Sequence, residues 1–145
     1  GIDTARIRFL GVLPAGEYMR RYHEADIALD TFPYAGVTTT CESLWMGLPV
    51  ITWSGDTPAA RTGASLIAAI GEQGWIAHSA AGYVDAAAAL AADSDGLERL
   101  RAGLRDRMRA SALCDEAGFA RQFEKTMRGV WTGWCARAGA LTAPR

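Results

Sequence analysis

Short apolar runs alternate along this chain with helical segments, and this alternation constrains the fold more than any other feature of the sequence. The stretch 26–57 holds the clearest unit: an apolar run at 27–29, a helix from Thr38 to about Gly47, and a second apolar run at 49–53. Strands that alternate with helices in this way are typical of βαβ units with right-handed crossovers. The sequence therefore predicts an α/β fold with a Rossmann-like parallel sheet flanked by helices.

The remaining elements are predicted from cap residues and apolar spacing. Apolar runs at 7–10 and 75–77 predict one strand before this unit and a weaker strand after it. Thr57 followed by Pro58 is a typical helix start, with an N-cap threonine and proline in the first helical position. Apolar residues with helical spacing define amphipathic helices. The predicted helices cover residues 14–25, with Tyr18, Tyr22 and Ala25 on one face, and residues 38–47, 58–70, 79–92, 97–108 and 119–134.

Charge and cysteine content exclude several classes of protein. Fifteen basic and sixteen acidic residues give a formal net charge of −1, which predicts neither a nucleic-acid partner nor binding to an anionic membrane surface. Cys41, Cys114 and Cys135 are an odd number without CxxC spacing, so we expect no disulfide framework and a cytoplasmic location. No apolar run approaches the roughly 20 residues of a membrane-spanning helix. Neither His23 nor His78 belongs to a metal-binding motif, so no metal site is predicted.

The chain length and its ends predict the domain organisation. A length of 145 residues is that of one domain of ordinary size. We assign residues 1–139 to this domain and expect a disordered tail at residues 140–145. The sequence has no initiator methionine and begins almost directly at a predicted strand, so we expect it to be part of a longer protein.

The strongest candidate for a ligand site is the start of the threonine-opened helix. In parallel α/β sheets, ligands bind beyond the carboxyl ends of the strands, where this chain places Gly36, Val37 and three threonines. Free backbone N–H groups and the positive end of the helix dipole favour an anion there, and threonine hydroxyls add donors. Thr39 and Glu42 also have the spacing of a capping box, which would satisfy this helix end without a ligand. The residues alone leave both interpretations open.

Two acidic residues lie near this helix start. Glu42, one turn into the helix, has two carboxylate oxygens that can accept paired hydroxyl groups of a ribose. Its alternative role is the reciprocal capping contact with Thr39. Asp30, at the end of the preceding strand, is expected to tie down the loop that follows it.

Two segments carry a resemblance to a known family. The stretch DTFPYAGVTTTCESLWMGLPV, which begins at Asp30, is followed by GDTPAARTGASL, which begins at Gly55. Together they resemble the catalytic C-terminal region of the O-GlcNAc transferase and SPINDLY family, and the similarity runs from about Ile7 to the last helix. The resemblance implies a GT-B glycosyltransferase with two Rossmann-like lobes, usually preceded by tetratricopeptide repeats. This chain corresponds to the C-terminal lobe, which binds the donor nucleotide sugar.

The resemblance also implies which residues bind the donor. The threonines at 38–40 correspond to the diphosphate site, and Glu42 corresponds to an acidic residue at the ribose hydroxyls. Three departures bear on donor identity: family members often have His or Thr in place of Val37, many have His in place of Tyr18, and some have a lysine near Ala15. The implied donor-binding residues are Leu13 through its backbone, Tyr18 and Arg21 at the base, Val37 through its backbone N–H, Thr38, Thr39, Thr40 and Glu42.

The reaction that the resemblance implies is an inverting transfer of GlcNAc or a related sugar from a nucleoside diphosphate to a Ser or Thr hydroxyl of a protein acceptor. UDP-GlcNAc is the expected donor, with GDP-fucose as the alternative, and no cofactor is implied. The general base is expected on the N-terminal catalytic lobe, outside this chain, so the isolated chain is expected to be inactive. Two other interpretations stay open: a noncatalytic flavodoxin-like module that binds a nucleotide or a partner, and another GT-B enzyme such as a sugar-nucleotide epimerase.

Overall fold

A parallel sheet lies at the centre of the fold. The computed structural model describes the backbone of residues 1–142 and the side chains of residues 1–138, and this part of the chain contains three short strands. They are β1 (Ala28–Leu29), β2 (Val50–Trp53) and β3 (Ile76–Ala77), arranged in the order β1-β2-β3. Both pairings are parallel. The predicted parallel α/β sheet is therefore confirmed.

The described residues form six α-helices, most of them close to their predicted positions. The side chain of Thr57 accepts a hydrogen bond from the backbone N–H of Ala60, and Ser79 caps the next helix in the same way. Gly47, with φ of +78°, follows the end of the threonine-opened helix. The helices are α1 (Ala15–Arg21), α2 (Thr38–Trp45), α3 (Pro58–Ala69), α4 (Ala80–Ala92), α5 (Ser94–Arg109) and α6 (Glu116–Thr142), with 3-10 turns at Thr4–Arg6, Tyr22–Glu24, Gln73–Trp75 and Ala112–Cys114.

The hydrophobic core lies between the sheet and the helices. Leu44 of α2, Ile51 of β2, Ile67 of α3 and Leu104 of α5 are each fully buried. The apolar stripe predicted for residues 97–108 faces this core, because three of its members are buried and the fourth packs against them. The core therefore fixes α2, whose first turn is the candidate ligand site, against the sheet and α5.

Leu104→Ala is expected to lower the free energy of unfolding by about 2–5 kcal/mol, because it removes buried methyl groups and leaves a cavity between α5 and the sheet. Urea unfolding followed by circular dichroism measures this loss. Val84→Ala in α4 is the control, since Val84 is exposed. Truncation of an exposed side chain is expected to change stability by less than about 0.5 kcal/mol. If both variants lost the same free energy of unfolding, the assignment of Leu104 to the core would be contradicted.

The strand predicted at residues 7–10 is wrong. This segment has no regular secondary structure in the described chain, and Phe9 within it is 92% exposed. A strand needs a neighbour to pair with its backbone groups, and β1, at the edge of the sheet, pairs with β2 alone. Apolar composition identifies a segment that is able to form a strand, but it carries no information on whether a pairing partner is present.

Helix α6 carries an exposed aromatic face. It contains the predicted last helix and is longer at both ends. The rings of Phe119 and Phe123 stack, as do those of Trp131 and Trp134, and all four side chains are exposed. This face is therefore available for contact with another protein surface.

The last helix, α6, reaches the C-terminal end of the described part of the chain. Residues 140–142 belong to α6, and residues 143–145 lie outside the described part of the chain. The predicted disordered tail at 140–145 and the single domain at 1–139 therefore stay predictions. Among the helices of residues 1–142, none combines the length and the apolar character that crossing a bilayer requires.

Candidate functional site

Asp30 fixes the loop between β1 and α2. Its Oδ1 accepts hydrogen bonds from the backbone N–H groups of Gly36 at 2.7 Å and Thr31 at 3.0 Å. Its Oδ2 accepts from the hydroxyl of Thr52 in β2 at 2.8 Å, and its carbonyl accepts from the hydroxyl of Tyr83 at 2.7 Å. The expectation that Asp30 ties down this loop is confirmed. These bonds place the start of α2 beyond the carboxyl ends of β1 and β2.

The start of α2 is not closed by a capping box. Val37 is the N-cap residue and supplies no side-chain hydrogen bond, so Thr39 is the second helical residue and does not stand in the cap position. Thr40 donates its hydroxyl to the carbonyl of Gly36, at 3.1 Å. The first N–H groups of a helix have no acceptor within the helix. They are therefore available to an anion here, and the capping interpretation of Thr39 and Glu42 is wrong.

Glu42 is held by two tyrosines of the preceding helical segment. The hydroxyls of Tyr18 and Tyr22 donate to Oε2 of Glu42 at 3.0 and 3.1 Å, and their rings pack edge to face with centroids 5.3 Å apart. Burial, followed by the hydrogen bonds with Tyr18 and Glu42, raises the pKa of Tyr22 above its usual value. Its hydroxyl therefore stays protonated at neutral pH and acts as a donor to the carboxylate.

A cavity of about 420 Å³ lies between the segment before α1, α1 itself and α2. Four of the residues predicted to bind the donor line it: Leu13, Tyr18, Arg21 and Thr39. They come from two regions of the sequence, and the fold brings them to one cleft. The remaining wall is mostly apolar, with Leu10, Ile27, Ala28 and Leu48 among its residues. Such a cleft suits a flat ring with a polar edge.

A smaller cavity of about 140 Å³ continues this cleft toward the start of α2. Ala28, Thr39 and Ser43 line both cavities, and Asp30 and Thr40 line the smaller one. The larger cavity therefore leads from Arg21 and Tyr18, past the Glu42 network, to the first turn of α2. An elongated ligand with a ring at one end and an anionic group at the other matches this layout.

Three of the predicted site residues, Val37, Thr38 and Glu42, line neither cavity. Val37 and Thr38 are exposed and line neither cavity, so their contribution to a ligand is restricted to their backbone N–H groups and, for Thr38, its hydroxyl. Arg21 lines the larger cavity and also forms a salt bridge of 2.6 Å with Glu24. The cavities are therefore lined by the residues predicted for the base and by two of those predicted for the diphosphate, Thr39 and Thr40. Glu42 is joined to the cleft through its hydrogen bonds with Tyr18 and Tyr22.

Sequence analysis missed one contributor to this cleft, Tyr22, and one contact in the loop before α2. Tyr22 was placed on the same face of its helix as Tyr18, yet no role in the site was predicted for it. That shared face was the available signal, since tyrosines four residues apart on a helix are neighbours. Phe32, in the loop before α2, stacks on Trp53 of β2 with centroids 3.9 Å apart. No sequence pattern indicated that contact.

Comparison with known proteins identifies the family. The model of glycosyl transferase family 41 matches residues 1–123. The chain belongs to glycosyl transferase family 41. The SPINDLY protein of Solanum lycopersicum, named as a probable UDP-N-acetylglucosamine–peptide N-acetylglucosaminyltransferase, is 42% identical over 136 residues, which are 93% of this chain and 15% of that protein. The UDP-N-acetylglucosamine–peptide N-acetylglucosaminyltransferase of Caenorhabditis elegans is 32% identical over 131 residues, which are 90% of this chain and 11% of that protein.

A solved structure of an O-GlcNAc transferase is similar to this chain and supports the family assignment. A mutant of the Thermobaculum terrenum O-GlcNAc transferase matches with a TM-score of 0.80 and 36% sequence identity, over 89% of this chain and 25% of that one. The predicted family and the predicted match to the C-terminal region of a GT-B glycosyltransferase are confirmed. These findings do not favour the noncatalytic flavodoxin-like module. The chain spans about 15% of the length of the SPINDLY proteins that it matches.

Proposed function

We propose that this chain is the donor-binding C-terminal lobe of an inverting protein O-glycosyltransferase, which transfers GlcNAc or a related sugar to Ser or Thr hydroxyls of a protein. The observation that carries the proposal is the cleft that runs from Leu13, Tyr18 and Arg21 to the open start of α2. A nucleoside diphosphate has a flat base at one end, a ribose in the middle and an anionic diphosphate at the other end. These three parts follow the order of the proposed residues along the cleft.

The base is proposed to bind in the larger cavity. Tyr18 and Arg21 of α1 and the backbone of Leu13 would contact it, with the apolar wall covering its faces. Glu42 would accept a hydrogen bond from the ribose, because its carboxylate is hydrogen-bonded to Tyr18, which lines the same cavity. UDP-GlcNAc is the proposed donor, supported by the names of the family members, and GDP-fucose is the alternative.

The diphosphate is proposed to bind at the first turn of α2. The backbone N–H groups of Val37 and of the threonines at 38–40 would donate to phosphate oxygens, together with the hydroxyls of Thr38 and Thr39. The helix dipole adds a partial positive charge of about half an elementary charge at this end. Negative charge on the diphosphate increases as the sugar leaves, so donors fixed at this position lower the barrier to transfer. Val37 contributes a backbone donor but no polar side chain.

The remaining parts of the reaction are proposed to lie outside this chain. The general base and the acceptor-binding surface are assigned to an N-terminal catalytic lobe, in agreement with the small share of its relatives that the chain spans. The exposed aromatic face of α6 is a suitable surface for that lobe. We also propose a cytoplasmic location, supported by the three free cysteines. The isolated chain is then expected to bind the nucleotide without transferring a sugar.

Calorimetric titration of the chain with UDP and with GDP tests this function. One of the two nucleotides is expected to bind, with UDP preferred. Thr39→Val is expected to weaken that binding by roughly 10-fold to 100-fold, because a hydrogen bond to a charged group contributes about 1.5–3 kcal/mol. Thermal unfolding of the variant checks that the fold is retained.

Thr126→Val is the matched control for this titration. It makes the same change of shape and polarity in α6, where the Thr126 hydroxyl donates to the carbonyl of Gln122. Nucleotide affinity is expected to stay unchanged in this variant. If neither UDP nor GDP binds to the native chain, or if Thr39→Val binds as tightly as the native chain, the proposed site is wrong.

A further inference from the structure

The carboxylate of Glu42 is held through only one of its two oxygens. The hydroxyls of Tyr18 and Tyr22 lie 3.0 and 3.1 Å from Oε2 and 2.5 Å from each other, so their two protons serve all three contacts. Both hydroxyls are therefore directed at the Oε2 side of the carboxylate, whose oxygens have about two lone-pair sites each. Among the described residues, no side chain or backbone group donates a hydrogen bond to Oε1. Oε1 is therefore the oxygen that remains for a ligand.

The tyrosine pair also restricts the conformation of Glu42. A glutamate side chain has three rotatable bonds, and ordering it when a ligand binds costs conformational entropy. Here the two hydroxyls order the carboxylate before any ligand arrives. Tyr18 and Tyr22 are themselves held by their edge-to-face packing and by the wall of the cleft, which both of them line. The result is a preorganised acceptor beside the larger cavity.

We propose that Tyr22 is a positioning residue, which acts with Tyr18 to direct Oε1 of Glu42 at a hydroxyl of the ribose. This inference rests on the proposed function, because the ribose belongs to the donor nucleotide. Tyr22 acts on the ligand through Glu42. Its hydroxyl is consequently expected to affect discrimination between a ribonucleotide and a deoxyribonucleotide, and not nucleotide binding in general.

The test measures this discrimination in Tyr22→Phe. The dissociation constants of UDP, 2′-deoxy-UDP and 3′-deoxy-UDP are determined by calorimetry for the native chain and for the variant, with the guanosine series used instead if GDP is the nucleotide that binds. The native chain is expected to prefer the ribonucleotide over at least one deoxy analogue. Tyr22→Phe is expected to reduce this preference by about threefold to tenfold, the effect of one hydrogen bond. Affinity for that deoxy analogue is expected to stay within about twofold.

Tyr83→Phe is the matched control. It also removes the hydroxyl of a half-buried tyrosine that donates a hydrogen bond, but to the carbonyl of Asp30 and not to Glu42. Any loss of affinity in this variant is expected to be equal for the ribonucleotide and its deoxy analogues. Thermal unfolding of both variants shows whether their losses of stability are similar.

The outcomes separate this inference from the proposed function. If Tyr22→Phe weakens the ribonucleotide and deoxyribonucleotide equally, Tyr22 only stabilises the fold and the inference is overturned, while the donor site stands. A native chain that binds UDP and both deoxy analogues equally also overturns it. If the native chain binds neither UDP nor GDP, the proposed function fails and this inference fails with it. A reduced preference in Tyr22→Phe, with an unchanged preference in Tyr83→Phe, supports it.

Discussion

Asp30→Ala is expected to lower the free energy of unfolding by about 2–5 kcal/mol, because a buried donor left without an acceptor costs about 1–3 kcal/mol. The hydroxyl of Thr52, which is 0% exposed, loses its acceptor, and so does the backbone N–H of Gly36. Urea unfolding measures the loss of stability. No other single carboxylate in the described chain accepts hydrogen bonds from both the loop before α2 and the central strand.

The same substitution is expected to weaken UDP binding by about tenfold or more, since the start of α2 loses the bond that holds Gly36 and the N–H groups of the first turn are no longer fixed. Calorimetric titration measures this effect. Asp30→Asn is the matched control, because its amide keeps one acceptor oxygen for the loop. Asp30→Asn is expected to lose clearly less stability and less affinity for UDP than Asp30→Ala. If Asp30→Ala and Asp30→Asn have the same stability and the same affinity, Asp30 does not organise the site.

Gly36→Ala is expected to weaken UDP binding by roughly 10-fold to 100-fold, equivalent to the loss of one hydrogen bond to a charged phosphate. A Cβ at this position would lie 2.5 Å from Oγ1 of Thr39 and 2.9 Å from Oγ1 of Thr40. Thr40 is 2% exposed and its hydroxyl is bonded to the Gly36 carbonyl, so it has little room to move. The backbone at the start of α2 must then shift, and with it the donors proposed for the diphosphate.

Gly103→Ala in α5 provides the comparison for this variant. A Cβ at Gly103 meets no atom within 4 Å. Alanine in a helix interior is more stable than glycine by about 0.5–1 kcal/mol, so this variant is expected to be slightly stabilised, with unchanged affinity. Nucleotide titration and thermal unfolding of both variants test the difference. Native affinity in Gly36→Ala would show that the close approach of Gly36 to α2 does not determine the geometry of the site.

Local signals predicted most of the secondary structure correctly. Thr57 with Pro58 predicted the start of α3, and the apolar stripe of residues 97–108 predicted α5 and its buried face. These signals depend on residues within one or two turns of each other, so they can be read from the chain alone. The strand predicted at residues 7–10 depends on a partner far away in the sequence, and there the local signal was misleading.

The candidate site was predicted only in part. The threonine-opened helix and its place beyond the strands follow from the order of the elements, and the family resemblance added the roles of Leu13, Tyr18 and Arg21. Spacing alone paired Glu42 with Thr39, because residues three apart at a helix start often form a capping box. The structure pairs Glu42 with Tyr18 and Tyr22 instead.

The sequence by itself determined the α/β class, the starts of α2, α3 and α4 and the family of this protein, because caps, periodicity and a long motif are properties of consecutive residues. Only the tertiary structure decided which groups meet in the cleft. Tyr18 and Tyr22 precede Glu42 by 24 and 20 residues, and Asp30 precedes Thr52 by 22. Contacts over such separations depend on how β1 and β2 bring α1, α2 and the intervening loop together, and that packing leaves no periodic trace in the chain.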